Sequence, residues 1–331
     1  MTWIERYWRK VTPLAVLLYP LSLVFGLAVL ARKVLYRIRI LKSTRLPVPV
    51  IVVGNINVGG TGKTPLVLWV AALLTSRGLR PGIVSRGHGG SGTVQRVAAD
   101  SDPSAVGDEP VMLARRCDVP IWVGRDRVAA ANALLSAHPA CDVIVCDDGL
   151  QHYRLARNVE VVVVDGERGL GNGWMLPAGP LREPRARLAS VEAVVVNGDG
   201  STDMFLQAPA VFSMALRGGT FRNLLNPDHC VAPEYFAGRK VHAIAGIGNP
   251  GRFFAHLQHL GLDFTAHPFP DHHAYTKADA APFRGEEVVM TEKDAVKCGG
   301  FAGERWWALA VDAEIDPAFG ELVVREITGP S

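Results

Sequence analysis

The sequence predicts an α/β protein with an open, doubly wound and mostly parallel sheet, a smaller α/β lobe at its carboxyl end and an apolar helix at its amino end. Three observations lead to this prediction. Short β-branched runs alternate with segments of helical composition, a glycine-rich loop follows the first run, and residues 11–31 contain no charged residue. Alternating strands and helices are typical of parallel sheets that bind ligands at the carboxyl ends of their strands.

The amino-terminal segment is long enough to reach across a membrane. As a helix, the 21 residues 11–31 would extend about 31 Å, close to the hydrocarbon thickness of a bilayer. Pro13 and Pro20 interrupt the segment and favour a kinked or two-part element that dips into one leaflet. Basic residues flank it, most heavily at 32–45, which predicts that the rest of the chain stays cytoplasmic. A buried core helix is the main alternative, and a signal peptide is disfavoured by the length of the apolar run.

The strands of the main domain are predicted from runs rich in valine and isoleucine, which are typical of strands buried on both faces. These runs occupy residues 47–54, 81–85, 141–147, 159–165 and 191–197, with helical segments at 65–77 and 125–137. The pattern lapses near residues 198–207, and a new strand, helix and strand follow at 240–245, 252–260 and 287–291. We therefore predict an amino-terminal segment at 1–46, a main domain at 47–215 and a lobe at 216–331 that closes over the active site.

Composition limits the classes of partner. The 331 residues include 35 basic and 32 acidic side chains, so the net charge of +3 gives no nucleic-acid footprint. The five cysteines form no C-x-x-C pair, which argues against a disulfide framework or a zinc ribbon and indicates a reducing compartment. No obligate protein partner is predicted.

The glycine-rich loop has the pattern of a phosphate-binding loop, or P-loop, between a strand and a helix. It consists of Asn57, Val58, Gly59, Gly60, Thr61, Gly62, Lys63 and Thr64. In such a loop the backbone amides surround the phosphates of ATP, Lys63 reaches the β and γ phosphates, and the Thr64 hydroxyl binds Mg²⁺. Asn57 stands where the motif commonly has glycine. The loop predicts a P-loop NTPase fold for the main domain.

Two adjacent carboxylates, Asp147 and Asp148, follow the apolar strand at 141–147. A P-loop needs an acidic residue on a neighbouring strand to complete a magnesium site, and this pair is the best candidate. The simpler alternative is that the pair caps a turn. The turn at 246–251 satisfies G-x-G-x-x-G and suggests a dinucleotide-binding oxidoreductase, but Pro250 and the magnesium-binding pattern argue against it.

Two further groups are weak signals by themselves. Asp108 and Glu109 precede a helical stretch, and pattern alone favours a helix cap. His272 lies in an Asp-His-His sequence, where steering by a carboxylate is more plausible than zinc binding.

These motifs together resemble the tetraacyldisaccharide 4'-kinase family of lipid A assembly over nearly the whole chain. The resemblance rests on the apolar amino-terminal helix and on VGN (53–55), GGTGKTP (59–65), SRG (85–87), GDEP (107–110), DDGLQH (147–152), PLREP (180–184), AGIGNP (245–250), FPDH (269–272) and TEKDAVK (291–297). His88 and Leu150 stand where typical members carry Tyr or Phe.

The resemblance implies transfer of the ATP γ-phosphate to the 4'-hydroxyl of a tetraacyldisaccharide 1-phosphate, which forms the 1,4'-bisphosphate (lipid IVA). The acceptor would lie in the inner membrane of a bacterium, with the enzyme on its cytoplasmic face. The implied catalytic residues are Asp108 as base, His272 as its partner and Lys63. Implied magnesium or substrate contacts are Glu109, Asp147, Asp148, Gln151 and Glu183. Arg86 of the SRG motif is a further candidate substrate contact. A membrane-attached NTPase that acts as a switch, or on another lipid or sugar, is the alternative function.

Overall fold

The structure, a computed structural model, describes residues 7–200, 202–205 and 207–329. Its strands are β1 (Val50–Gly54), β2 (Pro81–Ser85), β3 (Gln95–Val97), β4 (Ile121–Val123), β5 (Val143–Asp147), β6 (Val159–Asp165), β7 (Ala193–Asn197), β8 (Val211–Asn223), β9 (Cys230–Val231), β10 (Val241–Ala245), β11 (Thr265–Pro268), β12 (Glu287–Thr291) and β13 (Trp306–Ile315). In the described residues they form one sheet in the order β11-β10-β12-β13-β8-β7-β6-β1-β5-β2-β4-β3, with β9 beside β8.

The first half of the sheet is parallel from β4 to β7, and only the edge strand β3 runs antiparallel to its neighbour. The five apolar runs predicted for this half are its strands β1, β2, β5, β6 and β7, and all residues of these strands are buried. Their β-branched side chains pack on both faces of the sheet, as expected for inner parallel strands. The predicted α/β fold class is thereby confirmed.

Helices cover both faces of the sheet. They are α1 (Pro13–Arg37), α2 (Lys63–Ser76), α3 (Pro103–Val106), α4 (Asp108–Arg116), α5 (Arg127–Ala137), α6 (Pro250–His259), α7 (Lys277–Ala280), α8 (Glu292–Cys298) and α9 (Pro317–Thr328). In the first half, α2, α4 and α9 contribute to the apolar core on one face, and α5 contributes to the core on the other. The second half has α6 on one face and α8 on the other.

The long strand β8 joins the two halves. Its first residues pair with β7 in parallel, and its remainder pairs with β13 in antiparallel register. The predicted domain boundary at 215/216 therefore falls inside one continuous strand. Helix α9 returns to the first half, where Phe319 lies 5.6 Å from Trp69 between ring centroids. Independent movement of the two predicted domains stays a prediction.

Helix α1 lies on the outside of the first half and continues through Pro20 without a break, so it is one element and not two. Thr12 caps its start by accepting a hydrogen bond from the amide of Ala15. Among its side chains only Ala15 and Ser22 are buried, which differs from the alternative of a core helix. Its length and composition are sufficient to cross a membrane.

Candidate active site

The predicted P-loop lies between β1 and α2, at the carboxyl edge of the parallel strands. Gly59 and Gly62 have φ values of 104° and 89°, a region that side chains other than glycine rarely adopt. The Asn55 side chain donates to the carbonyl of Gly59 at 3.1 Å. The unusual Asn57 is buried, and its amide donates to the carbonyl of Gly169 at 3.1 Å. Asn57 therefore ties the P-loop to the loop that follows β6.

Lys63 and Thr64 are the first two residues of α2, as the motif requires. The Lys63 Nζ atom lies 3.3 Å from Oδ1 of Asp148, and both side chains are largely buried. Thr64 is half-buried beside it. The lysine is thus held at the mouth of the loop by a carboxylate from the neighbouring strand.

Asp147 is the last residue of β5, which pairs directly with β1. Its side chain is buried, Ser85 donates a hydrogen bond to its Oδ2 at 3.1 Å, and its Oδ1 has no hydrogen-bond partner among the described residues. Burial, together with the negative charges of Glu109 and Asp148, raises the pKa of Asp147 to about 7. A cation next to Asp147 would favour the ionised form of this carboxyl group.

Asp148 adopts a left-handed backbone conformation with φ of 48°, uncommon for a residue with a side chain. It thereby meets Lys63 and Arg182, whose guanidinium lies 3.7 Å from Oδ2. Burial would raise the pKa of Asp148, but these two cations hold it below its usual range. Arg182 was not among the predicted site residues, although it stands in the PLREP motif.

The carboxylates fit a magnesium ion that is shared with phosphate. Asp147 offers a buried oxygen without a hydrogen-bond partner among the described residues, and oxygen is the ligand type that Mg²⁺ prefers. Asp148 follows it in the chain and contacts Lys63, the residue before Thr64. No group of three or more His, Cys, Asp or Glu side chains in the described residues could hold a metal by itself. Magnesium commonly keeps water and substrate phosphate among its ligands, so an all-protein cage is not needed.

Asp108 and His272 meet although 164 residues separate them in the chain. Asp108 is the buried first residue of α4, and His272 follows β11 with a φ of 57°. The His272 Nδ1 atom lies 3.2 Å from Oδ2 of Asp108. Burial would raise the pKa of Asp108, but the hydrogen bond from His272 and the charge of Lys293 hold it below its usual range. The same hydrogen bond raises the pKa of His272.

Lys293 lies on the other side of the same histidine. Its Nζ is 3.4 Å from Nε2 of His272 and 3.1 Å from Oε1 of Glu109. Glu109, predicted to contact magnesium, is therefore paired with an ammonium group. The sequence argument included Lys293 in the TEKDAVK motif but gave it no role.

The three predicted substrate residues differ in their surroundings. The Gln151 amide donates to the carbonyl of Asn55 and to Oε1 of Glu183, both at 3.0 Å. Glu183 is buried, and its Oε2 also accepts hydrogen bonds from Tyr153 and Arg187. In this structure Glu183 thus orients Gln151. Arg86, by contrast, is exposed and makes no hydrogen bond or ion pair with the described residues.

Asn197, the last residue of β7, links the P-loop to α6 of the second half. The Asn197 side chain donates to the carbonyl of Thr61 at 2.9 Å and accepts from Arg252 at 3.0 Å. Arg252 belongs to α6 and also reaches Asp165 at 3.3 Å. The G-x-G-x-x-G turn that suggested dinucleotide binding precedes α6, and its Gly246 amide donates to Asp294. A Cβ atom on Gly248 of this turn would lie 3.9 Å from the amide nitrogen of Gly60, so the turn faces the P-loop across the cleft between the halves.

A comparison with protein families matches residues 14–328 to the family described as tetraacyldisaccharide-1-P 4'-kinase, LpxK. Curated relatives named tetraacyldisaccharide 4'-kinase align over almost their whole length. The protein of Azoarcus sp. (strain BH72) is 54% identical over 323 residues, covering 97% of this chain and 94% of the relative. That of Methylobacillus flagellatus is 49% identical over 327 residues, covering 98% and 96%.

The fold has a close counterpart among solved structures. A crystal structure of LpxK from Aquifex aeolicus, described as an "apo" form in complex with ATP, superposes with a TM-score of 0.80. It is 29% identical in sequence, and the match covers 95% of this chain and 99% of the other.

Proposed function

This chain belongs to the tetraacyldisaccharide-1-P 4'-kinase family, and on that premise we propose how its cleft performs the family's reaction. The reaction transfers the γ-phosphate of ATP to the 4'-hydroxyl of a tetraacyldisaccharide 1-phosphate. The product is the 1,4'-bisphosphate used in lipid A biosynthesis. ATP and magnesium serve the reaction, and no hydride-transfer chemistry is involved.

The observation that carries the mechanism is the contact between Asp108 and His272 beside the P-loop. The acceptor oxygen forms its bond to the γ-phosphorus while the bond from that phosphorus to the ADP oxygen breaks. Asp108 accepts the hydroxyl proton, and its low pKa means that the carboxylate is ready to do so at neutral pH. His272 donates to Oδ2 of this carboxylate and fixes its direction. The two residues come from the two predicted domains, so their contact requires the cleft to be closed.

Positively charged side chains at the P-loop neutralise the charge of the phosphates. Lys63 provides positive charge at the mouth of the loop, and Arg182 lies close enough to act with it through Asp148. Thr64, Asp147 and Asp148 would hold magnesium, with Glu109 in the same acidic cluster. Bound magnesium adds positive charge that neutralises the transferring group. Positioning and charge neutralisation are the main demands of phosphoryl transfer.

The acceptor is proposed to approach from the side of Arg86 and Gln151. Arg86 directly follows β2, next to the strand that carries Asp147, and its exposed guanidinium has no ion pair among the described residues. Gln151 is held in place by Glu183 and Asn55, which suits a residue that must orient a hydroxyl. Both side chains therefore offer polar contacts to a phosphorylated sugar.

Membrane association through α1 is the second part of the proposal. Leu17, Val24 and Leu27 are 74%, 64% and 66% exposed, so the helix presents a large apolar surface that water does not favour. Basic residues that follow it suit anionic lipid head groups on the cytoplasmic face of the inner membrane. Sedimentation of the full chain with anionic vesicles tests this assignment, and protein that stays in the supernatant contradicts it.

Phosphate transfer is tested directly with purified protein, radiolabelled ATP, magnesium and a tetraacyldisaccharide 1-phosphate in mixed micelles. We expect label in the 1,4'-bisphosphate, identified by mass. A switch NTPase would hydrolyse ATP without labelling the glycolipid. Complete absence of the bisphosphate under conditions in which the protein binds ATP would overturn the proposed function.

A further inference from the structure

Lys293 connects the two halves of the protein at the base of the site. It is the second residue of α8, and its side chain is 18% exposed. Its ammonium contacts Glu109 and His272, which both belong to the proposed site. On one side Nζ lies 3.1 Å from Glu109 of α4, and on the other it lies 3.4 Å from Nε2 of His272. The ammonium therefore reaches one group from each half.

The chemistry of its neighbours determines how His272 must be protonated. The ionised carboxylate of Asp108 can only accept a hydrogen bond, so Nδ1 at 3.2 Å must carry a proton. The ammonium of Lys293 can only donate, so Nε2 must be the acceptor. In the neutral imidazole these two contacts fix the proton on Nδ1, and the ammonium of Lys293 opposes the gain of a second proton that the hydrogen bond to Asp108 favours.

Asp271 and His88 also lie near the imidazole, and the negative charge of Asp271 raises the pKa of His272 while the positive charge of Lys293 lowers it. Asp271 is the nearest additional acid, but its Oδ1 lies 3.9 Å from Nε2, outside hydrogen-bonding distance. The ring of His88 packs against that of His272 in an edge-on arrangement at 5.3 Å between centroids. A second proton on His272 would place positive charge on Nε2, next to the ammonium of Lys293.

We propose that Lys293 is a positioning residue for phosphoryl transfer, which holds His272 in the neutral Nδ1–H form and so preserves the ability of the Asp108 carboxylate to take up the acceptor proton. The inference rests on the proposed function of this site. An imidazolium at this place would stabilise the charge on Asp108 and weaken its attraction for the acceptor proton. The ammonium of Lys293 opposes that state by like-charge repulsion. Its contact with Glu109 fixes the ammonium in place.

The test compares Lys293→Met, which has no donor, with Lys293→Arg, which keeps the positive donor, in the full-length protein. Lys277→Met is the matched control because Lys277 is an exposed lysine outside the site. We expect Lys293→Met to lower kcat about 10- to 100-fold, with the Kd for ATP changed less than about twofold. Lys293→Arg should recover most of the loss, and the control should match wild type.

A second readout does not depend on activity. Imidazole ¹⁵N spectra should show His272 of the wild type as the Nδ1–H tautomer at neutral pH. Lys293→Met should shift these signals toward the other tautomer or the imidazolium, and should move the acidic limb of the kcat profile to higher pH. Unchanged His272 signals, or a Lys293→Met variant with wild-type turnover, would overturn the proposal. If wild type itself transfers no phosphate, the proposed function fails, whereas the tautomer measurement still decides the role of Lys293.

Discussion

Asp108 keeps its negative charge although it is buried. Burial by itself favours the protonated acid, but a hydrogen bond from His272 and the charges of Lys293 and Lys297 favour the carboxylate more strongly. Asp147 shows the opposite balance: burial, and then the negative charges of Glu109 and Asp148, raise its pKa. The site therefore holds Asp108 as an ionised carboxylate and Asp147 as a carboxyl group whose ionisation a bound cation would favour.

The role of Asp108 as base predicts a loss in turnover without a loss in nucleotide binding. Asp108→Asn keeps the shape of the side chain but removes its basicity, so kcat should fall about 10²- to 10⁴-fold. The Kd for ATP, measured by calorimetry, should stay within about twofold because Asp108 contributes nothing to the P-loop. Asp102→Asn is the control, since Asp102 is an acid at the start of α3 and asparagine also caps helices well. Turnover within a few-fold of wild type would exclude Asp108 as the base.

The raised pKa of Asp147 predicts a pH-dependent affinity for magnesium nucleotide. In the folded protein without bound cation, Asp147 keeps its proton up to about pH 7. Its favourable contribution to the free energy of unfolding is therefore present at low pH and is lost as the pH rises through about 7. Cation binding needs the ionised form. Between pH 7 and pH 6 its ionised fraction falls about fivefold, and the affinity for Mg-ATP should fall similarly.

Calorimetry at several pH values measures this dependence, with Asp147→Asn as the matched control. The variant should bind more weakly and should lose the part of the pH dependence that belongs to the protein, leaving only that of the nucleotide. Identical pH profiles for wild type and Asp147→Asn would show that the ionisation of Asp147 is not linked to binding.

Among the elements, local patterns predicted the P-loop, strands β1 and β5 and the start of α2, because each is specified by neighbours in sequence. The contact of Asp108 with His272 could not be derived from spacing, since it depends on how two distant segments fold together; family resemblance alone suggested it. Strand β8 was not predicted, because most of its residues are only partly buried and it contains Gly218 and Gly219, so its sequence lacks a continuous apolar run. Strand β13 was not predicted either, although the apolar residues at its start are a sequence signal for a buried strand.

Helices α4 and α8 join the two halves through two ion pairs, one at each end of α4. Glu109 pairs with Lys293 near the proposed catalytic residues, and at the other end of α4 Arg116 donates to both oxygens of Glu292, the residue before Lys293, at 2.7 and 2.6 Å. Burial raises the pKa of Glu292 even though Arg116 opposes the shift. Because α4 carries Asp108 and α8 carries Lys293, this contact sets the distance between them.

Removing one partner of the buried pair should therefore destabilise the fold strongly. Arg116→Met leaves Glu292 buried without a counter-charge, which typically costs about 3–5 kcal/mol. Urea unfolding followed by circular dichroism measures the change. Arg217→Met breaks an Arg–Glu pair that is exposed on the surface, with Glu314, and should leave the midpoint nearly unchanged. Equal effects of the two substitutions would contradict a special role for the α4–α8 contact.

At the scale of the whole molecule, the apolar helix and the phosphate site are physically connected. Ser22 of α1 donates to the carbonyl of Met175 at 2.8 Å and accepts from the amide of Ala178 at 2.9 Å. The same loop continues to Pro180, whose carbonyl accepts from the P-loop amide of Val58. The loop after β6 thus contacts both the apolar helix α1 and the P-loop. Membrane binding through α1, as proposed above, would therefore place the phosphate donor close to a lipid surface.

This arrangement predicts that the exposed face of α1 controls lipid binding without affecting nucleotide binding. Leu17, Leu21 and Leu27 are 74%, 57% and 66% exposed, and each should contribute about 1.5–3 kcal/mol when its side chain leaves water for lipid. Replacing all three with glutamine should lower the partition coefficient on vesicles by at least about 100-fold. The Kd for ATP should not change, because no P-loop contact is altered. Leu225→Gln is the control, since Leu225 is 52% exposed but lies in the other half. Cosedimentation of the triple variant at the wild-type level would show that α1 is not the lipid-binding element.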